Sequence, residues 1–374
     1  MILNKINKPI LDEVKTILPQ NILLFQSCNE NGELINLKSS KDISVEIIKL
    51  LKTAPVFDEV IVVNPVLPIV SGNEIEMPFT TIQSLLKYSK KENLDLGEIG
   101  LIYEKCQSGL SEYELINKMK NTVGIIEKSI KTGLKGTKYE DRILHQQSHL
   151  VGRAEKTRKI LQNSIVNKIV ANITAIMEAK SAMEVIVANP TAGASGAVGG
   201  VLKAVAEDLN STSDELIKAY FAAGIVGAYF AKKPGFSAEE HGCQVECGAA
   251  SGMAAAGISQ LFGGTATQAV NATSMAIQNM IGLVCDPVAD RVEVPCLGKN
   301  VSAAMNALSS ATMACSGFDV VIPLDQVFQT VSLVSKQMPT CVKCTGKGGL
   351  AITKAAFDLK EKLTINRSGQ SPKS

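Results

Sequence analysis

Three cysteines are placed where only tertiary folding could gather them. Cys243 lies in HGCQVECGAASGMAAAGIS, and Cys285 and Cys296 lie in MIGLVCDPVADRVEVPCLGKN. Cys285 follows Cys243 by 42 residues and precedes Cys296 by 11. Cys285 stands before Asp286-Pro287 and Cys296 after Pro295, so both sit in stiff turns that can aim a thiolate inward. Three thiolates are one short of filling a [4Fe–4S] cube, and the iron left open is a Lewis acid able to hold a substrate oxygen. Small buried hydrophobes are the other common fate of cysteine. On the residues alone both readings stand.

Other groups of chemical interest flank these thiols. Cys247, four residues after Cys243, would share its helical face and is read as core. His241, two residues before Cys243, is the best placed of the three histidines for proton transfer, while His145 and His149 read as solvated loop residues. Asp286, Glu246 and Glu293 stand beside the cysteines and could orient a ligand, hold a substrate ammonium, or pair with Arg291 or a lysine.

Two segments rich in glycine could receive an anion. In NPTAGASGAVGG, from Asn189 to Gly200, Thr191, Gly193, Ser195 and Gly196 combine hydroxyl donors with backbone that a carboxylate can approach at a helix start. The segment lacks the Gly-Lys-Ser/Thr ending of a Walker loop, and tight helix packing is the competing explanation. In CVKCTGKGGLAITK, Thr345, Gly348 and Gly349 form a second candidate cradle. Cys341 and Cys344 make a single C-x-x-C, with no second pair to complete a zinc ribbon; Cys344 could approach a cluster, and Cys341 reads as surface or packing.

The elements that must position these groups are mostly helical. From Cys247 to Cys285 inclusive there is no Asp, Glu, Lys or Arg, and Ala, Gly, Ser, Met and Ile suit close-packed buried helices. Helices are expected at about 249–261, 266–282, 301–315 and 324–337. Earlier, Ser111 and Glu114 form a capping box before a helix with Leu115, Met119, Ile126 and Ile130 near one face, broken at TGLKGT. A long helical run from Lys156 is expected to stop at Pro190, and STSDELIKAYFAAGIVGAYFAKKPG has its own start and stop signals. Before these, ILLFQ at 22–26 and EVIVVN at 59–64 read as strands, with a helix at 45–52 between them and a three-proline boundary at 64–79. The fold class is therefore mainly α: a small α/β region over 1–92, a large helical domain over 93–365 and a disordered tail over 366–374.

Composition narrows the function. With 38 basic and 36 acidic residues in 374, and no Trp, neither a nucleic-acid face nor a base-stacking platform is expected. No uninterrupted apolar run reaches the ~18 residues of a membrane span, and the N-terminus shows no secretory signal. Nine cysteines without an export signal fit a reducing cytoplasm.

NPTAGASG, GCQVECGAASGMAAA, GLVCDPVADRVEVPCLGKN and TGKGGLA, in this order and spacing, resemble the iron–sulfur-dependent L-serine dehydratases over roughly Ser111 to Lys354. The resemblance is to their α-subunit or catalytic domain, which is largely helical. It implies that Cys243, Cys285 and Cys296 hold a [4Fe–4S] cluster, and that L-serine loses water to give pyruvate and ammonia. It further implies that Thr191–Gly196 holds the substrate carboxylate and that Thr345–Gly349 closes the site. Fused members carry an N-terminal β-domain with a Ser-Ser-His segment that looks like a source of the catalytic base, and residues 1–110 contain none. Either a separate β-subunit supplies the base or this chain uses another, with His241 the candidate; a homo-oligomer is the other assembly considered. Residues 1–92 resemble neither that β-domain nor a regulatory ACT module. The same elimination on L-threonine or L-cysteine is the neighbouring activity. A pyridoxal-phosphate enzyme, with Lys299 and TGKGG as lysine and phosphate cup, would leave the cysteines idle. A non-catalytic iron–sulfur subunit completes the alternatives.

Overall fold

The computed structural model describes residues 2–3, 22–29, 32–39, 43–55, 57, 60–62 and 76–368. The chain divides into two compact units, Met1–Pro68 and Ile69–Ser374. The division falls inside the three-proline segment, ahead of the residue-92 boundary expected from sequence.

In the first unit, β1 (Ile2–Leu3), β2 (Ile22–Asn29) and β3 (Gly32–Ser39) form an antiparallel sheet in the order β1-β3-β2, with Ile22 opposite Ser39 and Asn29 opposite Gly32. Helix α1 (Val45–Thr53) follows, its first turn capped by the Ser44 hydroxyl, which accepts from the Ile47 amide. The strand expected at 22–26 is present and longer. GELINLKS was not read as a strand, because its apolar positions are few; its pairing with β2 supplies what its composition does not. Of the strand expected at 59–64, residues 60–62 carry no strand and the rest lies outside the described residues.

The second unit is helical. Its helices are α2 (Ile82–Glu92), α3 (Leu96–Ser108), α4 (Glu112–Lys135), α5 (Ser148–Lys156), α6 (Ile165–Ser181), α7 (Ser195–Asp208), α8 (Ser213–Lys232), α9 (Ala238–His241), α10 (Cys247–Leu261), α11 (Ala266–Gln278), α12 (Cys296–Cys315), α13 (Leu324–Gln337) and α14 (Lys354–Ser368). The fold class is mainly α, as the sequence implies. Capping boxes start α2, α3, α4, α8 and α11, and the Ser111–Glu114 box is the one expected.

Two helical expectations change in the structure. The run from Lys156 to Pro190 is not continuous: α5 ends at Lys156, Arg158 and Asn163 adopt positive φ, and Ser164 caps a new helix that stops at Ser181. Local caps outweigh the apolar period there. At the other break, α4 does end within TGLKGT, at Gly136 with φ 94°, but only the second glycine breaks it; Gly133 stays helical and admits the backbone of Ala175 on α6, which a side chain there would strike. Helix α14 runs to Ser368, into the expected tail, and residues 369–374 lie outside the described residues.

Helix α10 is the centre of this unit, packed against α7, α8, α11 and α12. Every residue from Cys247 to Ser259 is buried, so the helix has no solvent face and needs no charge. Its glycines set the approach of its neighbours: a Cβ at Gly252 would stand 2.7 Å from Ile277, and one at Gly257 2.8 Å from Leu202. The first turn of this buried helix carries Cys247, and the segment leading into it carries Cys243.

Candidate active site

Cys243 occupies a short 3₁₀ turn, Cys243–Val245, entered through Gly242. Gly242 has φ 76°, and a Cβ there would also press on Met338 and the Leu283 carbonyl. Buried Gln244 fixes the turn. Its Nε2 donates to the His241 carbonyl at 2.8 Å and to Ser335 Oγ at 3.0 Å, while its Oε1 accepts from the Gly282 amide at 2.9 Å. This side chain thereby ties the Cys243 turn to the strand-like run entering Cys285.

Cys285 is held by backbone. Its amide donates to the Val342 carbonyl at 2.8 Å, and its carbonyl accepts from the Cys344 amide at 2.8 Å, forming a parallel bridge. The C-x-x-C segment is thus pinned beside Cys285, with Cys344 at φ 60°. Cys296 is the first residue of α12, and that helix start carries no side-chain cap. A thiolate there would meet the positive end of the helix dipole.

Several of the thiols are pairwise neighbours. Cys243 stands within hydrogen-bonding reach of Cys247 and Cys285, and Cys285 within reach of Cys344. Hydrogen bonds from Cys247 and Cys285 hold Cys243 well below the usual thiol range, with Lys299 assisting. Its partners Cys247 and Cys285 are held above that range. Burial, and then the charge on Cys243, push Cys296 up to about 12. All four are buried and none is in a disulfide. Cys247, read from sequence as core, touches Cys243 and so also belongs to this group.

Two lysines serve the site differently. Lys299 Nζ donates to Asp286 Oδ1 and to the Val284 carbonyl, each at 2.7 Å. Burial opposes its charge, but Asp286 and the thiolates outweigh burial and keep Lys299 above its ordinary value. Lys180, at the end of α6, donates to the Val292 carbonyl at 3.1 Å, and no salt bridge to it is found among the described residues. Burial pulls it below the usual lysine range, and Cys296, Glu293, Glu246 and Cys247 oppose the pull.

Both glycine-rich segments lie in contact with residues of this site. Thr191 Oγ1 donates to Glu246 Oε1 at 2.6 Å and accepts from the Ala194 amide at 3.2 Å. Asn300 Nδ2 donates to the Gly193 and Cys296 carbonyls, each at 2.8 Å, and its Oδ1 accepts from the Ala197 amide at 3.0 Å. Ser195 is buried with its hydroxyl toward Met177 Sδ at 3.9 Å, and a Cβ at Gly196 would meet Ile173 at 3.0 Å. In the second segment Thr345 Oγ1 donates to the Thr340 carbonyl at 3.0 Å. Gly348 lies against the Cys341 carbonyl, and Gly349, at φ 60°, against Asp286. The Leu350 amide then donates to Asp286 Oδ2 at 2.9 Å.

His241 faces elsewhere. Its ring lines a cavity of about 320 Å³ with Lys233, Pro234, Gln329, Ser332, Leu333 and Lys336, none of them a residue of the thiol group. Its Nε2 is 3.4 Å from Glu240, and its buried Nδ1 has no hydrogen-bond partner among the described residues. On the opposite side, Glu293 accepts from Tyr139 Oη and from the Ile143 and Leu144 amides, and pairs with Arg291 at 3.5 Å. This anchors the 139–144 loop to the turn that delivers Cys296.

Among the described residues, no three His, Cys, Asp or Glu side chains converge tightly enough to hold a single metal ion. The donor chemistry suits a polynuclear group, in which each thiolate takes a separate iron. The buried thiols of Cys243, Cys285 and Cys296 are free of disulfides and so open to such ligation. Sequence reading missed Gln244, Asn300 and Lys180. An Asn and a Gln inside otherwise apolar, charge-free surroundings were the available signal for the first two; Lys180 gave none.

The family model described as "Serine dehydratase alpha chain" matches residues 75–351. The chain is 34% identical over 285 residues to the probable L-serine dehydratase, alpha chain, of Bacillus subtilis (strain 168), covering 76% of this chain and 95% of the relative. It is 31% identical over 286 residues to the L-serine dehydratase, alpha chain, of Peptoniphilus asaccharolyticus, covering 75% and 96%. With L-serine dehydratase 1 of Escherichia coli (strain K12) it shares 30% identity over 295 residues, 75% of this chain and 64% of that longer protein. The matched span contains all the thiols of this site and Thr191–Gly196 and Thr345–Gly349, and the chain belongs to the serine dehydratase alpha chain family.

Proposed function

We propose that this protein is the catalytic chain of an L-serine dehydratase, a carbon–oxygen lyase that removes water from L-serine to give aminoacrylate, and from it pyruvate and ammonia. The observation that carries the reading is that Cys243, Cys285 and Cys296 are all buried and free of disulfides, with Cys243 beside Cys285 and Cys296 within reach of its charge, in a chain whose relatives bear that name. These three residues would hold a [4Fe–4S] cluster, and Cys247 and Cys344 border it. The cluster, when bound, supplies a Lewis-acidic iron that makes the substrate hydroxyl a better leaving group.

The remaining chemistry falls to the protein. Burial excludes water, and Lys299 offsets thiolate charge while Asp286, itself held by the Leu350 amide, keeps Lys299 in place. Thr191, Gly193, Ser195 and Gly196 shape one wall; Thr345, Gly348 and Gly349 shape another. His241, the base candidate from sequence, lines a different cavity from the thiol group, so the acceptor of the Cα proton is proposed to come from a separate β-chain. A separate β-chain is the proposed partner, supported by the alpha-chain names of the relatives and by the greater length of the Escherichia coli protein. No described helix is long and apolar enough to cross a membrane, and the free thiols suit a reducing cytoplasm.

The test is anaerobic purification followed by iron analysis and pyruvate assay with L-serine, with any β-chain co-expressed. The wild type should bind iron and form pyruvate, and Cys285→Ala should lose both together. Pyruvate formation by iron-free protein, or full turnover by Cys285→Ala, would overturn the assignment.

A further inference from the structure

The cavity of about 320 Å³ beside His241 has two lysines and no carboxylate on its lining. Lys233 stands just past the end of α8, and Lys336 lies in the last turn of α13, so two separate elements bring positive charge to one opening. Neither ammonium has an ion pair among the described residues. The two acids of α9 are engaged elsewhere: Glu239 accepts from the Ser237 hydroxyl at 3.2 Å, and Glu240 stands 3.4 Å from His241 Nε2. Gln329 adds a side-chain amide with no hydrogen bond among the described residues. Like charges brought to one opening repel, and an anion between them turns that repulsion into attraction.

The rest of the wall is apolar. Pro234 and Leu333 complete it, and Leu333 is 56% exposed. A bare inorganic ion would leave both uncovered, whereas an anion on an aliphatic body would cover them. The volume lies at the small end of ligand pockets, which run from about 300 to 1,000 Å³. No thiol lines the cavity, although its floor is shared with the Cys243 turn. Ser335, on the same helix as Lys336, accepts from Gln244 Nε2 at 3.0 Å, and the His241 carbonyl accepts from that nitrogen at 2.8 Å.

We propose that this cavity binds a small aliphatic carboxylate, its head between Lys233 and Lys336 and its body against Pro234 and Leu333. The two ammonium groups take one oxygen each, and the Gln329 amide is a further donor at the rim. Charge selects the acid over its neutral analogues, and the apolar wall selects it over inorganic anions. The site is independent of the lyase reading, because none of its residues belongs to the thiol group.

The experiment is calorimetry on the anaerobically purified protein, with any β-chain co-expressed. The probe is 3-methylbutanoate, compared with its neutral amide 3-methylbutanamide and with inorganic phosphate. The wild type should bind the acid more tightly than either. Lys233→Met and Lys336→Met should each weaken the acid at least about tenfold, the loss of one charge-assisted contact, and leave the amide as it was. Leu333→Asn should weaken the acid and leave phosphate unchanged. Saturating L-serine should not displace the acid, which separates this cavity from any carboxylate pocket at the thiols. Iron per chain and helical circular dichroism of each variant control for loading and folding. A wild type that does not bind the acid, or binds acid and amide alike or phosphate more tightly, would overturn the proposal. So would displacement by L-serine, or lysine variants that bind the acid as the wild type does. None of these measurements needs turnover, so a protein that forms no pyruvate would end the lyase reading and still decide this one.

Discussion

The 189–200 and 345–349 segments have similar compositions, small residues with Thr and Gly, but their glycines meet different neighbours. In the first, Gly196, Gly199 and Gly200 lie within α7 and admit side chains of adjacent helices: Ile173 and Met177 at Gly196, Ile126 at Gly199, Ile173 at Gly200. Their work is helix-to-helix approach. In the second, Gly346 and Gly349 have positive φ, and Gly349 lets the chain pass directly over Asp286. Its work is a backbone path that delivers the Leu350 amide to a buried carboxylate. One segment sets the depth of the helical floor beneath the thiols; the other fastens the Cys285 turn from outside. A glycine-rich motif near a site therefore does not by itself identify a ligand cradle.

The comparison breaks most sharply at Asp286. This carboxylate joins the second segment to the site by holding both Lys299 and the Leu350 amide. Asp286→Ala would leave the largely buried Lys299 charge without its partner, at a cost of about 3–5 kcal/mol. Urea denaturation should show that loss, and limited proteolysis should show early cleavage near 345–350. A variant as stable as the wild type, with the segment still protected, would mean that the second segment is fastened by something other than Asp286.

A smaller effect is expected on the packing side, at Gly200→Ala. The new Cβ would stand 2.5 Å from Ile173 Cγ1 and 2.9 Å from the Ile173 amide nitrogen, so α6 and α7 must separate. Overpacking of this kind costs about 2–3 kcal/mol. The loss should appear in the denaturation midpoint, with the 345–350 segment as resistant to protease as before. Equal loosening of both segments would erase the distinction drawn between them.

Much of the helical scaffold was legible beforehand, and the reasons are local. The Ser111–Glu114 box and the Pro323 start of α13 are signals carried within one turn of helix, the charge-free run after Cys247 is carried by one continuous stretch, and the structure has all three. The errors arose where a neighbour decided the outcome. Gly133 reads as a breaker until α6 is placed against it, and β3 has too few apolar residues to announce itself without β2. In the site, the cysteines stood out by type, and the structure brings Cys243 and Cys285 together, with Cys296 sensing the charge on Cys243. Lys180 could not be singled out among the 38 basic residues of the chain, since its place beside the thiols is set by the fold and no sequence records that. Thr191 was noticed for its hydroxyl, but sequence could not say that Glu246 had already taken it.

The mildest test separates path from packing within the second segment. Gly349 has φ 60°, a conformation that costs an L-residue with a side chain about 1–2 kcal/mol, and a Cβ there would stand 2.7 Å from Asp286 Cβ. The position is exposed, so the strain can be relieved by lifting the segment without opening the helical core. Gly349→Ala should therefore leave the global denaturation midpoint almost unchanged while speeding hydrogen exchange at the Leu350 amide and protease cleavage beside it. Gly200→Ala should do the reverse, lowering the midpoint and leaving the Leu350 amide protected. If Gly349→Ala instead lowered the midpoint as far as Gly200→Ala does, the second segment would be part of the cooperative core, and the contrast between a packed floor and a fastened strap would have to be abandoned.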